Sequence, residues 1–148
     1  MYAADLLPVL PDRPFQAVIL PADIAKTSSL LAKRFTDFWT PTVEQITLAE
    51  KRISDYLATA ATNNKLSPTQ QKLGIIVRDK PAGFVRQYIG GIRGGRRLIY
   101  CVGNEIGFAR GDRWRRELIF WFDAASTWQI TYDVQDDICR NFHFDEGF

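Results

Sequence analysis

Residues 40–62 read TPTVEQITLAEKRISDYLATAAT, and this stretch decides the fold class. Thr40 followed by Pro41 predicts a helix start, because threonine caps helices and proline suits the first helical position. Apolar residues then recur at helical spacing, which predicts a long helix over 41–62 with one buried face. The apolar stripe consists of Val43, Ile46, Ala49, Ile53, Tyr56, Leu57 and Ala60.

From residue 74 onward the apolar period changes to alternation, which is typical of strands with one buried face. The candidate strands are 74–78, 84–92, 97–102, 116–123, 128–134 and 138–145. Short turns favour pairing of sequential strands, and the glycine pairs at 90–91 and 94–95 are predicted to bracket Arg93 in a tight hairpin. The predicted fold is α+β: the long helix packs on a curved, four- to five-stranded antiparallel meander sheet.

The segment ahead of the long helix is predicted to add an arm and a shorter helix. Residues 1–22 hold four prolines, which favours an extended N-terminal arm with a short strand at 16–20. Residues 23–38 show helical spacing, and residues 64–72 are expected to be a polar connector. With 148 residues, of which 46% are hydrophobic, the chain is predicted to form one domain over 1–148.

Composition excludes several classes of protein. A net charge of +2 with this hydrophobic fraction excludes a disordered chain, and no apolar run approaches the length of a membrane span. Two cysteines without CxxC or Cys/His spacing predict no zinc site and free thiols at Cys101 and Cys139. No other metal and no cofactor is expected. No signal peptide is recognised, so the expected location is cytoplasmic, or exported with the leader removed.

Charge is segregated along the second half of the chain. Residues 78–116 carry ten basic and three acidic residues, whereas residues 117–148 carry one basic and seven acidic residues. Either the two segments lie side by side and compensate each other, or they form faces of opposite sign that receive a charged partner. A sequence pI of about 8.6 lies below the strongly basic range typical of nucleic-acid-binding domains, so we do not expect a nucleic-acid partner, although arginines within 93–116 could bind one.

Glu50 is the most informative single residue. On a helical wheel it falls between Leu57 and Val43, inside the apolar stripe. A lone buried carboxylate costs several kcal/mol, so it must be paired, protonated or placed at a water-filled mouth. We expect a structural salt bridge to a sheet arginine, with two alternatives: a pocket acid with a perturbed pKa, or a rotated stripe that exposes Glu50. The candidate arginines are Arg86, Arg93 and Arg97.

A second set of candidates lies near the segment 103–114, which is too long for a hairpin turn and carries charge and glycine. Trp121 has the opposite strand parity to Phe120 and Phe122, which predicts either a second layer over the outer sheet face or an exposed patch for a partner or a homodimer. The partner-binding candidates are Arg110, Arg113, Trp114, Arg116 and Trp121.

Several short strings resemble a group of small uncharacterised bacterial proteins with a cystatin-like or NTF2-like layout. They are FWTPT at 38–42 with Glu50 after it, RQYIG at 86–90, RLIY at 97–100 and WQITYD at 128–133, and the resemblance covers residues 38–145. It implies a curved sheet around a helix, with a pocket at the concave mouth. Because NTF2-like folds place several helices before the sheet, the cystatin-like layout is the closer comparison. It implies no catalytic residues.

No catalytic constellation stands out, since the only histidine, His143, has no nucleophile motif with it. The expected function is therefore a non-enzymatic binding or interaction module that acts on a protein partner, as an inhibitor or immunity protein does. The first alternative is a small-molecule pocket protein or enzyme that uses Glu50 with a sheet arginine. The second alternative is nucleic-acid binding.

Overall fold

A computed structural model describes residues 13–107, 113–118 and 127–144. In chain order the elements are β1 (Ala17–Ile19), α1 (Ala22–Ala25), α2 (Ser29–Ala32), β2 (Asp37–Trp39), α3 (Val43–Ala58), α4 (Pro68–Asp79), β3 (Phe84–Arg93), β4 (Arg96–Glu105), β5 (Thr127–Asp133) and β6 (Ile138–Phe144). Short 3-10 helices cover Ala60–Thr62, Pro81–Gly83 and Arg113–Arg115. No helix in these ranges is long and apolar enough to cross a membrane.

The six strands form one mixed sheet in the order β1-β3-β4-β5-β6, with β2 also paired to β3. The strands from β3 to β6 pair antiparallel, each with the next. At the other end, β1 runs parallel to the first half of β3, and β2 runs antiparallel to the second half. The α+β class is confirmed, but a four- to five-stranded sheet that is antiparallel throughout is wrong, because the sheet has six strands and one parallel pair. Parallel pairing needs a long crossover, and four helices between β1 and β3 provide it.

Each face of the sheet carries its own hydrophobic core. On one face, Tyr88, Ile99 and Trp128 pack under α3 and α4. On the other face, Ile89 and Tyr100 pack under the segment that contains α1 and α2. The outer face therefore has a second covering layer in the described ranges. An exposed apolar patch for a homodimer is not found there.

The long helix starts two residues later than predicted. Thr42, not Thr40, is the N-cap: its hydroxyl accepts a bond from the Gln45 backbone N–H at 3.2 Å, and Gln45 Oε1 accepts from the Thr42 N–H at 2.8 Å. This reciprocal capping box satisfies two backbone donors at once and so fixes the start of α3. Thr40 instead accepts a hydrogen bond from the backbone of Ala22 at 2.9 Å.

Two other predicted elements are wrong. Residues 74–78 lie inside α4 rather than in a strand, and residues 23–38 form α1, α2 and β2 rather than one helix. A capping box between Ser67 and Gln70, followed by Pro68 in the first turn, starts α4 within the predicted connector. Ser28 caps α2 and so divides the predicted helix. In both cases local caps outweigh the apolar pattern.

The β3–β4 hairpin turns at one glycine pair instead of two. Gly94 and Gly95 have φ values of 60° and 74°, which a two-residue type I′ turn requires. Gly90 and Gly91 lie within β3. A Cβ at Gly90 would come within 2.3 Å of the Trp39 carbonyl oxygen, so the absence of a side chain lets β2 approach β3.

Candidate functional site

A buried ion pair joins α3 to the centre of the sheet. Arg86 Nη1 donates to Glu50 Oε2 at 2.5 Å, and the Tyr88 hydroxyl donates to Glu50 Oε1. Glu50 is 0% exposed and Arg86 is 3% exposed. Arg86 and Tyr88 are two positions apart on β3, so both side chains project from the same face toward α3.

Aromatic rings enclose the Arg86 guanidinium. Its Cζ lies 3.9 Å from the centroid of the Phe15 ring and 5.0 Å from that of the Trp128 ring. Gly103 pairs with Arg86 on one side and with Trp128 on the other. A Cβ at Gly103 would lie 2.1 Å from the Trp128 indole. The missing side chain therefore lets the indole lie across β4 and reach Arg86.

The enclosed guanidinium is only partly satisfied. Within the described ranges Glu50 is the only hydrogen-bond partner of the Arg86 guanidinium, and Arg86 Nε is buried with none. The neighbouring Trp128 Nε1 is also buried without a partner. A buried donor without an acceptor costs about 1–3 kcal/mol, so such groups call for an explanation.

Electrostatics hold Arg86 and Tyr88 each in one protonation state. Burial alone would lower the pKa of Arg86, but the Glu50 carboxylate outweighs it and the pKa is raised. Burial, and then the same carboxylate, raise the pKa of Tyr88 well above its ordinary value. Arg86 therefore stays cationic and Tyr88 stays a neutral donor across the physiological range.

A pocket of about 220 Å³ lies over Arg86, between residues 13–15, α3 and α4. Arginine supplies the charge of its lining, at Arg13, Arg78 and Arg86, and no acidic residue is among the described residues that line it. Arg78 is neutralised by Asp79, which accepts from its Nε at 2.8 Å. The apolar walls are Pro14, Phe15, Leu57, Val77 and Pro81.

A second, larger cavity of about 570 Å³ lies beside β6. Tyr56, Lys65, Cys139 and Asn141 are among its lining residues. Asn141 has a φ of 59° where the register between β5 and β6 shifts. Burial, and then the Glu50 carboxylate, raise the pKa of Cys139 to about 12, so its thiol is a poor nucleophile.

The charge segregation of the sequence is compensated at the hairpin end of the sheet. Asp133 lies 3.0 Å from Arg96 and 2.9 Å from Arg140, and Asp136 completes the network with both arginines. The basic and acidic segments thus lie side by side there. Arg93 and Arg97 are exposed and do not pair with Glu50; Arg97 lies 4.9 Å over the Trp39 ring instead.

The predicted partner-binding residues are not brought together into one described surface. Arg113 is exposed and pairs with Glu117, and Arg116 is also exposed. Trp114 is 3% exposed and belongs to the second core, so its ring offers no exposed contact. Arg110 and Trp121 lie outside the described residues.

His143 is partly buried and has contacts of its own, and Cys101 and Cys139 are free thiols. No group of three potential metal ligands occurs in the part of the chain that the structure describes.

No family model, curated protein or solved structure matches this chain. The cystatin-like or NTF2-like resemblance therefore stays a prediction.

Sequence reasoning missed part of the site. Alternation along β3 places Tyr88 on the same face as Arg86, so its contact with Glu50 could have been predicted. The same alternation places Arg93 on the opposite face and could have excluded it. No sequence pattern marks Phe15 as part of the site, because its contact with Arg86 depends on where the N-terminal segment crosses the sheet.

Proposed function

We propose that this chain is a non-enzymatic binding module that holds an acidic group in the pocket over Arg86. The observation that carries the proposal is the buried Arg86 guanidinium, whose Nε has no partner and which lines a pocket with two further arginines. An arginine fork is suited to carboxylate and phosphate oxygens.

The geometry of Glu50 favours binding over catalysis. Its two oxygens accept from Arg86 and Tyr88, and the side chain is 0% exposed. A general acid or base must reach the proton that it transfers. Glu50 is therefore placed to orient Arg86 and to compensate its charge rather than to exchange a proton with a ligand.

The acidic group could come from two sources. One is a free small acid, and the other is an acidic side chain of a protein partner, as in the inhibitor-like or immunity-like function expected from the sequence. Both would bind through the same contact with Arg86. A titration series that includes free acids and an acidic peptide therefore distinguishes the two sources.

The test is isothermal titration calorimetry of the purified chain with acetate, benzoate, inorganic phosphate and a glutamate-rich hexapeptide. We expect saturable binding of at least one of these anions. A ligand at 100 times its Kd adds about 2.7 kcal/mol of stability, which a thermal-shift assay detects as a rise of several degrees.

Two arginine variants make a matched pair for this titration. Arg13→Gln removes a cation that lines the pocket, whereas Arg97→Gln removes a cation that is stacked on Trp39 at the hairpin end of the sheet. We expect weaker binding in Arg13→Gln and unchanged binding in Arg97→Gln. Absence of saturable binding by every probe, or equal loss in both variants, would refute the proposal.

A further inference from the structure

We infer that the ligand is a small monocarboxylic acid, bound through the side edge of Arg86 formed by Nε and Nη2, with its apolar body against the pocket walls. This inference rests on the proposed function and narrows it to one ligand class.

The first step concerns the edge of the guanidinium that is not used. Arginine presents five N–H donors in a fixed planar fork. Glu50 takes a bond from Nη1, and Nε is buried without a partner. No hydrogen bond from Nε or Nη2 to another described residue occurs, so the Nε–Nη2 edge keeps two parallel donors, and the two oxygens of a carboxylate match that spacing in a bidentate contact.

The second step concerns the charge of the ligand. Glu50 already places one buried negative charge against Arg86, and its carboxylate is 0% exposed. Each further negative charge brought beside it is repelled in a medium of low dielectric constant. A singly charged carboxylate meets less repulsion than a phosphate dianion, which also needs more donors than one guanidinium edge supplies.

The third step concerns the body of the ligand. Pro14, Leu57, Val77 and Pro81 line the pocket, so burying an apolar group there is favourable. The volume of about 220 Å³ is below the roughly 300–1,000 Å³ of pockets for drug-sized ligands. The body is therefore small, as in a branched aliphatic or single-ring acid.

The fourth step is that the edge is held in place before a ligand arrives. The guanidinium is held between the Phe15 and Trp128 rings, which fix its plane. The Glu50 carboxylate fixes its Nη1 end. A side chain that is already ordered loses little further entropy on binding, which favours affinity even for a small ligand.

The decisive experiment compares three probes of similar shape on the wild-type protein: benzoate, benzamide and phenylphosphonate. We expect benzoate to bind at least about tenfold more tightly than benzamide, which loses a hydrogen bond between charged groups. We also expect benzoate to bind more tightly than phenylphosphonate, whose additional negative charge is repelled by Glu50. Arginine Nε–H resonances, recorded on ¹⁵N-labelled protein, supply a direct readout. The Arg86 signal is expected to move downfield with benzoate.

A pair of variants tests whether the affinity for benzoate depends on the Nε–Nη2 edge of the Arg86 guanidinium. Arg86→Lys keeps the positive charge but removes the edge, and we expect a loss of benzoate affinity of about tenfold or more. Arg97→Lys makes the same change at an arginine outside the pocket and should leave the affinity unchanged. If Arg86→Lys does not fold, the probe series and the wild-type Nε–H signal still test whether a carboxylate binds to the Arg86 edge.

The outcomes separate the inference from the proposed function. Preference for phenylphosphonate or phosphate, equal binding of benzoate and benzamide, or benzoate binding that leaves the Arg86 Nε–H signal in place would overturn the inference and leave an acid-binding module. If neither an anion nor an acidic peptide binds, both the inference and the proposed function are refuted.

Discussion

The Arg86 guanidinium and the Glu50 carboxylate form an ion pair with an N–O distance of 2.5 Å, and their side chains are 4% and 0% exposed. Desolvation of two charges costs about as much as their attraction returns, so a buried pair is a weak source of stability. Loss of one partner is different, because the remaining charge stays buried and uncompensated.

Glu50→Gln is therefore expected to destabilise the fold by about 3–5 kcal/mol, since it leaves the Arg86 cation without its counter-charge. Urea unfolding followed by circular dichroism measures this loss. The double variant Glu50→Gln/Arg86→Met removes both charges and should recover part of it. A Glu50→Gln protein as stable as the wild type would contradict a compensated pair.

Gly103→Ala tests whether the Trp128 indole lies across β4. The new Cβ would stand 2.1 Å from the indole, and overpacking of this kind costs about 1–3 kcal/mol. Gly83→Ala is the matched control, since no atom outside its chain neighbours lies within 4 Å of a Cβ built there. Equal unfolding free energies for the two variants would show that Trp128 lies elsewhere.

Acid should weaken the fold through Asp133. Burial alone would raise its pKa, but hydrogen bonds from Arg96, the Asp136 backbone and Arg140 outweigh burial and lower the pKa from 3.8 to about 2. A carboxyl with a lowered folded pKa adds stability that is fully present above pH 4 and is lost as the pH falls toward 2. Unfolding free energies measured at several pH values should follow that course.

Asp133→Asn checks the origin of the acid effect. It should lower stability at pH 7 and flatten the decrease between pH 4 and pH 2. Asp137 also contributes in the same window: hydrogen bonds from Arg52 and then Tyr132 lower its pKa to about 2. An unchanged slope in Asp133→Asn would assign the acid sensitivity to other groups.

Both thiols should react slowly in the native protein. Burial, and then the Glu50 carboxylate, raise the pKa of Cys101 well above its ordinary value and that of Cys139 to about 12. Because the thiolate is the reactive species, Ellman's reagent at pH 8 should react slowly until urea exposes both cysteines. Rapid reaction of one native thiol, assigned with Cys139→Ser, would contradict this.

Local patterns predicted some elements well and others badly. Helical spacing predicts a helix over 41–62, of which residues 43–58 form α3, and the two glycine pairs around Arg93 predict a hairpin, which turns at Gly94-Gly95. Both depend on neighbours in sequence. Residues 74–78 are predicted to form a strand from apolar alternation, yet the capping box at Ser67 starts a helix that includes them. Apolar runs of this length do not distinguish strand from helix.

The candidate site shows the same division. The helical wheel places Glu50 in the apolar stripe of α3, and the cost of a lone buried carboxylate predicts a salt bridge, with a pocket acid or an exposed side chain as alternatives. Which arginine pairs with it depends on where β3 crosses the helix. Glu50 and Arg86 are 36 positions apart, so only the packed molecule could answer that.

By itself, the sequence determined the α+β class, the helical period around Glu50 and a glycine hairpin between β3 and β4, since each follows from periodicity or turn chemistry over a few residues. It left undecided whether Glu50 is paired, open to water or exposed. The tertiary structure decided the parallel pairing of β1 with β3, the choice of Arg86, the stacking of Phe15 on it and the pocket above. Those features join segments that are distant in sequence, and their geometry exists only once both cores have packed against the two faces of the sheet.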